Sequence, residues 1–381
     1  GVTVTAAWFG AGSSNLANLY CDTAAGMIDR HNYCGGGAGR HSIVEGKAST
    51  MTHLAEPGGG LFSIGFTQVA GKPFGVSEWS MTTPAAFKAE AAPLFAFYGM
   101  GLQGWDSSSH FSCGAARMGA GWPGLSKYVS QTPHYMGQFP ALALAVHQGH
   151  LKEGQVVASR LATAKERHAG RDVLGGAIVA TDHDYKELAR NLAAPAENFA
   201  IGRVLVGFGD APQAVDPAPF WDQKGKVLTA TTRELRWDYG QRLVQVRAPK
   251  TQGLIGFAGG RKIALPDVQL TVKTPFVSLL FTALDDQPLR QAKRILVTAM
   301  ARDRQTGSKY NADWSALETI GGPPLLMEPV QATIRLAGAK PSQIRPLDVY
   351  GVPRNASVAV EDDGTFVIDG THKTYYYEIR R

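Results

Sequence analysis

Hydrophobic and polar positions follow one pattern in about the first 150 residues of the chain and another after about residue 226. In the first part, short apolar runs that end in polar residues alternate with helix-like segments. Such alternation is typical of parallel βαβ units. The predicted strands are residues 2–9, 27–31, 72–79 and 100–105, and the predicted helices are residues 14–19 and a segment from Thr83-Pro84 toward Tyr98.

The last part of the chain contains many short strand-like runs. Gly, Pro, Asn or Asp separates these runs at intervals that are typical of an antiparallel β-sandwich. Residues 151–225 connect the two parts and hold a strand-like run at 151–164 and a short helical pattern at 184–192. We expect the aromatic residues of the last part, Trp237, Trp314 and Tyr375–Tyr377, to pack in the core and across strands and not to contact sugar.

Composition and charge exclude several classes of protein. Hydrophobic residues make up 44% of the 381 positions, which is enough for a sizeable core and excludes a mainly disordered chain. No apolar run reaches the ~18 residues of a membrane helix, so we expect no membrane partner. The net charge is +6, but the basic residues are scattered, which argues against a nucleic-acid partner.

Glu78 is the strongest candidate for a chemical role. It lies between Ser77 and Trp79 at the polar end of a strand of the buried type. If the parallel units close into a barrel, the carboxyl ends of its strands build the active site. A carboxylate beside an aromatic residue there suits attack on the anomeric carbon of a sugar. Position alone is equally compatible with a carboxylate that caps the strand or forms an ion pair.

His31 and Tyr33 end the preceding predicted strand. Residues two apart on an extended chain face the same side, so both side chains can point toward Glu78 one strand away. A tyrosine hydroxyl that donates to a carboxylate stabilises its negative charge. Taken alone, the two residues also fit a loop histidine and a packing tyrosine.

Two further groups of residues are candidates for a site. Trp105 and Asp106 end the fourth predicted strand, and the indole suits either stacking on a sugar ring or packing at the rim.

The chain has three cysteines, Cys21, Cys34 and Cys113. This number is odd and too small for a disulfide framework. As metal ligands, His31, Cys34 and Cys21 match no common zinc spacing, so the sequence predicts no metal site and no cofactor.

Two segments, KPFGVSEW (residues 72–79) and GLQGWDSSSHFS (residues 101–112), resemble the last two barrel strands of clan A glycoside hydrolases. That clan includes cellulase-like, β-galactosidase-like and agarase-like enzymes, which share a (β/α)8 barrel and a retaining mechanism with two Glu residues. The resemblance covers about residues 1–150. It implies that Glu78 is the nucleophile at the end of the seventh strand. It further implies that His31 and Tyr33 match the His-x-Tyr pair of the sixth strand, and Trp105 the aromatic residue of the eighth.

The fold class that follows is α/β plus all-β. Residues 1–150 are expected to form strands five to eight of a TIM barrel, residues 151–225 a connecting region, and residues 226–381 a β-sandwich similar to the modules that follow such barrels. In the clan, the acid/base Glu usually stands in an Asn-Glu pair, which this sequence lacks. A whole barrel takes about 250 residues. We therefore expect its first half upstream of Gly1 or in trans, and essentially no turnover by this chain alone.

The sequence thus predicts a retaining β-glycosidase that acts on a poly- or oligosaccharide, present as a C-terminal fragment without the acid/base Glu. Glu78 is the predicted nucleophile, Tyr33 and His31 support it, and the predicted substrate-binding residues are Trp105, Trp79 and Asp106. A polysaccharide substrate would favour an extracellular or periplasmic location. The alternative is a non-catalytic carbohydrate-binding or structural β-sandwich protein with a degenerate half-barrel.

Overall fold

Four parallel strands form the sheet of the first part of the chain. The computed structural model describes residues 4–5, 16–35, 41–46, 52–114, 118–119, 121–122, 125–169 and 194–381. The four strands pair in chain order and are β1 (Val4–Thr5), β2 (Met27–Cys34), β3 (Phe74–Met81) and β4 (Ser107–His110). The second and third predicted strands therefore exist close to their predicted positions.

The prediction of a fourth strand at residues 100–105 is wrong. Residues 100–102 belong to a π-helical segment, Phe95–Leu102, and β4 begins only at Ser107. The segment continues a short α-helix and buries most of its residues. The sequence MGLQGW is apolar enough for a strand, but its burial comes from helical packing, and a short apolar run does not distinguish the two.

The helices are few and short. The α-helices are α1 (Leu16–Asp22), α2 (Ala91–Leu94), α3 (Phe139–His147), α4 (Ala164–His168) and α5 (Asn198–Ile201). The described residues also contain three 3₁₀ segments, at Gly60–Thr67, Lys88–Glu90 and Ala218–Phe220. The helix predicted at residues 184–192 lies outside the described residues. None of the helices in the described ranges is long and apolar enough to cross a membrane.

The predicted half of a (β/α)8 barrel is wrong. Most strands of the chain are antiparallel, and the described residues do not show the regular alternation of strand and α-helix that defines such a barrel. Among the described residues of the β2–β3 connection, the helical segment is a 3₁₀ helix, Gly60–Thr67, and not an α-helix. The glycines of this connection explain why: Gly58 and Gly60 adopt positive φ, and a side chain at Gly60 would collide with His53.

Antiparallel strands dominate the rest of the chain, after the parallel pair β5 (Val156–Leu161) and β6 (Arg203–Gly207). These strands are β7 (Trp221–Asp222), β8 (Val227–Thr229), β9 (Leu235–Asp238), β10 (Leu243–Arg247), β11 (Thr251–Phe257), β12 (Arg261–Ala264), β13 (Val268–Val272), β14 (Phe276–Ala283), β15 (Arg294–Met300), β16 (Asp303–Thr306), β17 (Lys309–Tyr310), β18 (Leu317–Thr319), β19 (Gly322–Met327), β20 (Ala332–Leu336), β21 (Gln343–Pro346), β22 (Phe366–Ile368) and β23 (Tyr376–Arg380). The prediction of mainly antiparallel sheet after residue 226 is confirmed.

A nine-stranded sheet, in the order β21-β23-β15-β14-β11-β10-β9-β8-β7, forms the centre of the molecule. All eight residues of β14 are buried, because both faces of this sheet are covered. Val277 and Leu279 pack with the four-stranded sheet β12-β13-β20-β22, whereas Phe276 and Leu280 pack with residues of the first part. The odd and even positions of one strand thus serve two cores, as the two-residue period of a strand requires.

A buried polar group joins the first part of the chain to the antiparallel part. Lys88 forms an ion pair with Asp303, and His134 Nδ1 lies 3.1 Å from the second oxygen of Asp303. All three side chains are 1% exposed. We call these three residues the Asp303 cluster.

Candidate functional site

The side chains of Glu78, Tyr33 and His31 come together on one face of the parallel sheet. The Tyr33 hydroxyl donates to Glu78 Oε2 at 2.5 Å, and His31 Nδ1 lies 3.4 Å from the same oxygen. Glu78 lies in the second half of β3, with parallel neighbours on both sides. The prediction that Glu78 lies on a parallel strand within reach of Tyr33 is confirmed, but its predicted place at the end of the strand is wrong, because β3 continues to Met81.

A β-bulge on β3 explains this convergence. Arg30 pairs with Val76, and His31 pairs with Glu78, so Ser77 is an extra residue opposite β2. A bulge changes the direction of the side chains beside it. As a result, both Ser77 and Glu78 reach His31: the Ser77 hydroxyl oxygen lies 2.9 Å from His31 Nε2, on the opposite side of the ring from Glu78.

Asp29 completes the group. Its two carboxylate oxygens accept from Ser77, one from the backbone N–H at 2.9 Å and the other from the hydroxyl at 2.5 Å. We call Asp29, His31, Tyr33, Ser77 and Glu78 the Glu78 cluster. Asp29 is buried and fully engaged by Ser77, whereas the Glu78 side chain is 29% exposed. Glu78 is therefore the carboxylate of the cluster that a ligand from solvent can reach.

Sequence reasoning missed Asp29 and Ser77. The same two-residue period that links His31 to Tyr33 extends back to Asp29, so this residue could have been found. The role of Ser77 follows from the bulge. Adjacent residues on a regular strand face opposite sides, so Ser77 and Glu78 are not expected to contact the same residue. Gly75, two residues earlier in the predicted strand, is a sequence signal that could have pointed to a bulge.

The three predicted substrate-binding residues do not lie in the Glu78 cluster. Trp79 is buried and stacks on Phe95 with ring centroids 4.1 Å apart, while its Nε1–H donates to Ser108. Trp105 is only 2% exposed, so its ring has no free face on which a sugar could stack. Asp106 accepts from the backbone N–H of Phe74 at 2.8 Å.

Trp79, Trp105 and Asp106 instead line a groove of about 940 Å³ beside β4, together with apolar residues of the helices. Glu78 does not line this groove. Since Glu78 and Trp79 are adjacent on β3, their side chains leave the strand in different directions. The structure therefore separates the predicted nucleophile from the predicted sugar platform.

The strongest pKa shifts belong to residues outside the Glu78 cluster. Burial lowers the pKa of His134 to about 4, against the opposing charge of Asp303. Burial alone would raise the pKa of Asp303, but the charges of Lys88 and His134 outweigh it and hold this pKa well below its usual range. Burial raises the pKa of Glu90 to about 8, although the His53 backbone N–H and the Thr52 hydroxyl both donate to its carboxylate.

The Glu78 cluster has two chemical readings. Glu78, held by the Tyr33 hydroxyl, can act as a carboxylate nucleophile. The order Ser77–His31–Glu78 is also the order of a serine hydrolase triad. In such a triad the serine must donate its proton to histidine. Here the Ser77 hydroxyl donates to Asp29 at 2.5 Å, which favours the carboxylate nucleophile.

Among the described residues, no group of three or more His, Cys, Asp or Glu side chains is arranged to hold a metal ion.

Comparison with protein-family models, curated proteins and solved structures finds no match for this chain.

Proposed function

We propose that the chain is a retaining β-glycosidase for a poly- or oligosaccharide, with Glu78 as the nucleophile. The observation that carries the proposal is the 2.5 Å hydrogen bond from Tyr33 to a partly exposed Glu78. The proposal rests on a carboxylate that is oriented by a tyrosine hydroxyl and open to solvent, as attack on an anomeric carbon requires.

In the first step, a Glu78 oxygen forms a bond to the anomeric carbon while the bond to the leaving oxygen breaks. The leaving oxygen takes a proton from a second carboxyl group, and that group later removes a proton from the water that hydrolyses the glycosyl ester. Asp29 is a poor candidate for this role, because Ser77 engages both of its oxygens. The proposal therefore assigns the nucleophile alone.

An experiment that tests the nucleophile alone needs a substrate whose leaving group departs without taking up a proton. We suggest 2,4-dinitrophenyl 2-deoxy-2-fluoro-β-glycosides of glucose, galactose, xylose and mannose, whose phenolate leaves unaided. The expected result with at least one sugar is a mass increase of one glycosyl unit, located by peptide mapping to Glu78. Glu78→Gln should abolish this labelling.

Glu328→Gln is the matched control. Its side chain is 28% exposed, close to the value for Glu78, but it lies in the antiparallel part and pairs with Arg302. This variant should be labelled like the parent protein. Labelling at another residue, or no labelling by any of the four sugars, would overturn the proposal. Oligosaccharide binding in calorimetry without labelling would support the non-catalytic alternative.

A further inference from the structure

The hydrogen bonds around Ser77 fix the position of one proton on His31. An ionised carboxylate only accepts hydrogen bonds, and a serine hydroxyl has one proton to donate. Because Asp29 Oδ2 lies 2.5 Å from Ser77 Oγ, that proton points toward Asp29. Ser77 Oγ can then only accept from His31 Nε2, 2.9 Å away, and Nε2 must carry a hydrogen.

This proton count determines what His31 presents to Glu78. With Nε2 protonated, a neutral His31 ring leaves Nδ1 as an unprotonated acceptor 3.4 Å from a carboxylate oxygen of Glu78. Two acceptors facing each other repel. The contact is favourable only while one proton lies between the two groups, on Nδ1 or on the carboxylate.

We infer that Asp29 and Ser77 are positioning residues that fix the tautomer of His31, and that they thereby make His31 the proton partner of Glu78. The inference rests on the proposed role of Glu78 as nucleophile. Attack converts the carboxylate into a neutral ester, so the Nδ1 proton loses its charged partner and can pass to water. Hydrolysis of the ester restores the carboxylate, and His31 takes a proton back from water.

Asp29→Asn gives the sharpest test, because it reverses the direction of these hydrogen bonds. The asparagine amide oxygen can still accept from the Ser77 backbone N–H, while its NH₂ group donates to Ser77 Oγ. The Ser77 hydroxyl is then free to donate to His31 Nε2. The neutral ring should move its hydrogen from Nε2 to Nδ1.

Long-range ¹⁵N–¹H correlation spectra of the histidine rings report this directly, at a pH at which the His31 ring is neutral. His31→Gln assigns the signals. In the parent protein we expect the Nε2–H tautomer. In Asp29→Asn and in Ser77→Ala we expect a change to Nδ1–H, because nothing then holds the hydrogen on Nε2 and the Glu78 carboxylate lies beside Nδ1. A merely structural role for Asp29 would not move the proton between the two nitrogens.

Ser108→Ala is the matched control, because Ser108 lies on the neighbouring strand and bonds to Trp79 instead of His31. It should leave the His31 signals unchanged. An Nδ1–H tautomer in the parent protein, or the same tautomer in a folded Asp29→Asn variant, would refute the inference. The spectra need no sugar chemistry. Labelling of Glu78 with an unchanged tautomer would therefore refute only this inference, and a changed tautomer without labelling only the proposed function.

Discussion

The Glu78 cluster and the Asp303 cluster each place a histidine against a carboxylate, yet they differ in exposure and in charge balance. Glu78 is 29% exposed and receives a tyrosine hydroxyl, whereas Asp303 is 1% exposed and is paired with Lys88. The shifted pKa values belong to the buried cluster. Between these two clusters, the perturbed pKa values therefore follow burial, and access for a ligand distinguishes the candidate site.

The largest effect should come from breaking the charge balance of the Asp303 cluster. Lys88→Met leaves Asp303 charged and buried, which should lower the free energy of unfolding by about 3–5 kcal/mol. Chemical denaturation measures this loss. The double variant Lys88→Met/Asp303→Asn should recover most of it, because no unpaired charge remains. Equal losses in the single and double variants would show that the Lys88 charge is not what matters.

The next largest effect should come from removing the tyrosine hydroxyl of the Glu78 cluster. Tyr33→Phe keeps the ring contacts with Phe111 and Tyr128 but removes the donor to Glu78. The hydrogen bond orients the carboxylate for attack, and a misplaced reacting group costs up to about 100-fold in rate, so labelling of Glu78 should slow by about 10- to 100-fold. The melting temperature should hardly change. Unchanged labelling kinetics would contradict this role of Tyr33.

Glu90 sharpens the comparison, because it is a buried carboxyl group whose pKa moves in the direction opposite to that of Asp303. With its pKa at about 8, folded Glu90 keeps a proton that the unfolded chain releases near pH 4.5. The free energy of unfolding should therefore fall as pH rises between these values, by at most about 1.4 kcal/mol per pH unit. Glu90→Gln should lose this contribution.

Denaturation of the parent protein and of Glu90→Gln at pH 5, 6, 7 and 8 tests the sign. The variant can keep both hydrogen bonds, since its amide oxygen accepts from the His53 N–H and its NH₂ donates to the Thr52 hydroxyl. We expect the stability of the variant relative to the parent to increase toward pH 8. A constant difference across this range would contradict the raised pKa.

The smallest effect should come from a surface ion pair. Glu328 accepts two hydrogen bonds from Arg302, at 2.8 and 2.9 Å, with both side chains partly exposed. Glu328→Gln should lower the free energy of unfolding by no more than about 1 kcal/mol, because water already screens this pair. A loss as large as that of Lys88→Met would show that exposure does not separate the two kinds of pair.

Local pattern was sufficient for part of the fold. The β-branched runs separated by turn residues predicted antiparallel sheet after residue 226, and the apolar stretches around residues 27–31 and 72–79 predicted β2 and β3. It failed for residues 100–105, where burial against neighbouring helices favoured a π-helical segment. It also failed for the barrel, because a series of parallel strands does not specify what connects them.

The sequence by itself determined which residues share a strand face, since a strand alternates with a period of two. That period brought His31 and Tyr33 together and contained the signal for Asp29. Only the tertiary structure decided the rest. The bulge that turns Ser77 toward His31 depends on pairing between strands 46 positions apart, and the burial of Trp105 depends on packing against Phe199. Such contacts are set by which distant segments meet, and no local pattern encodes that.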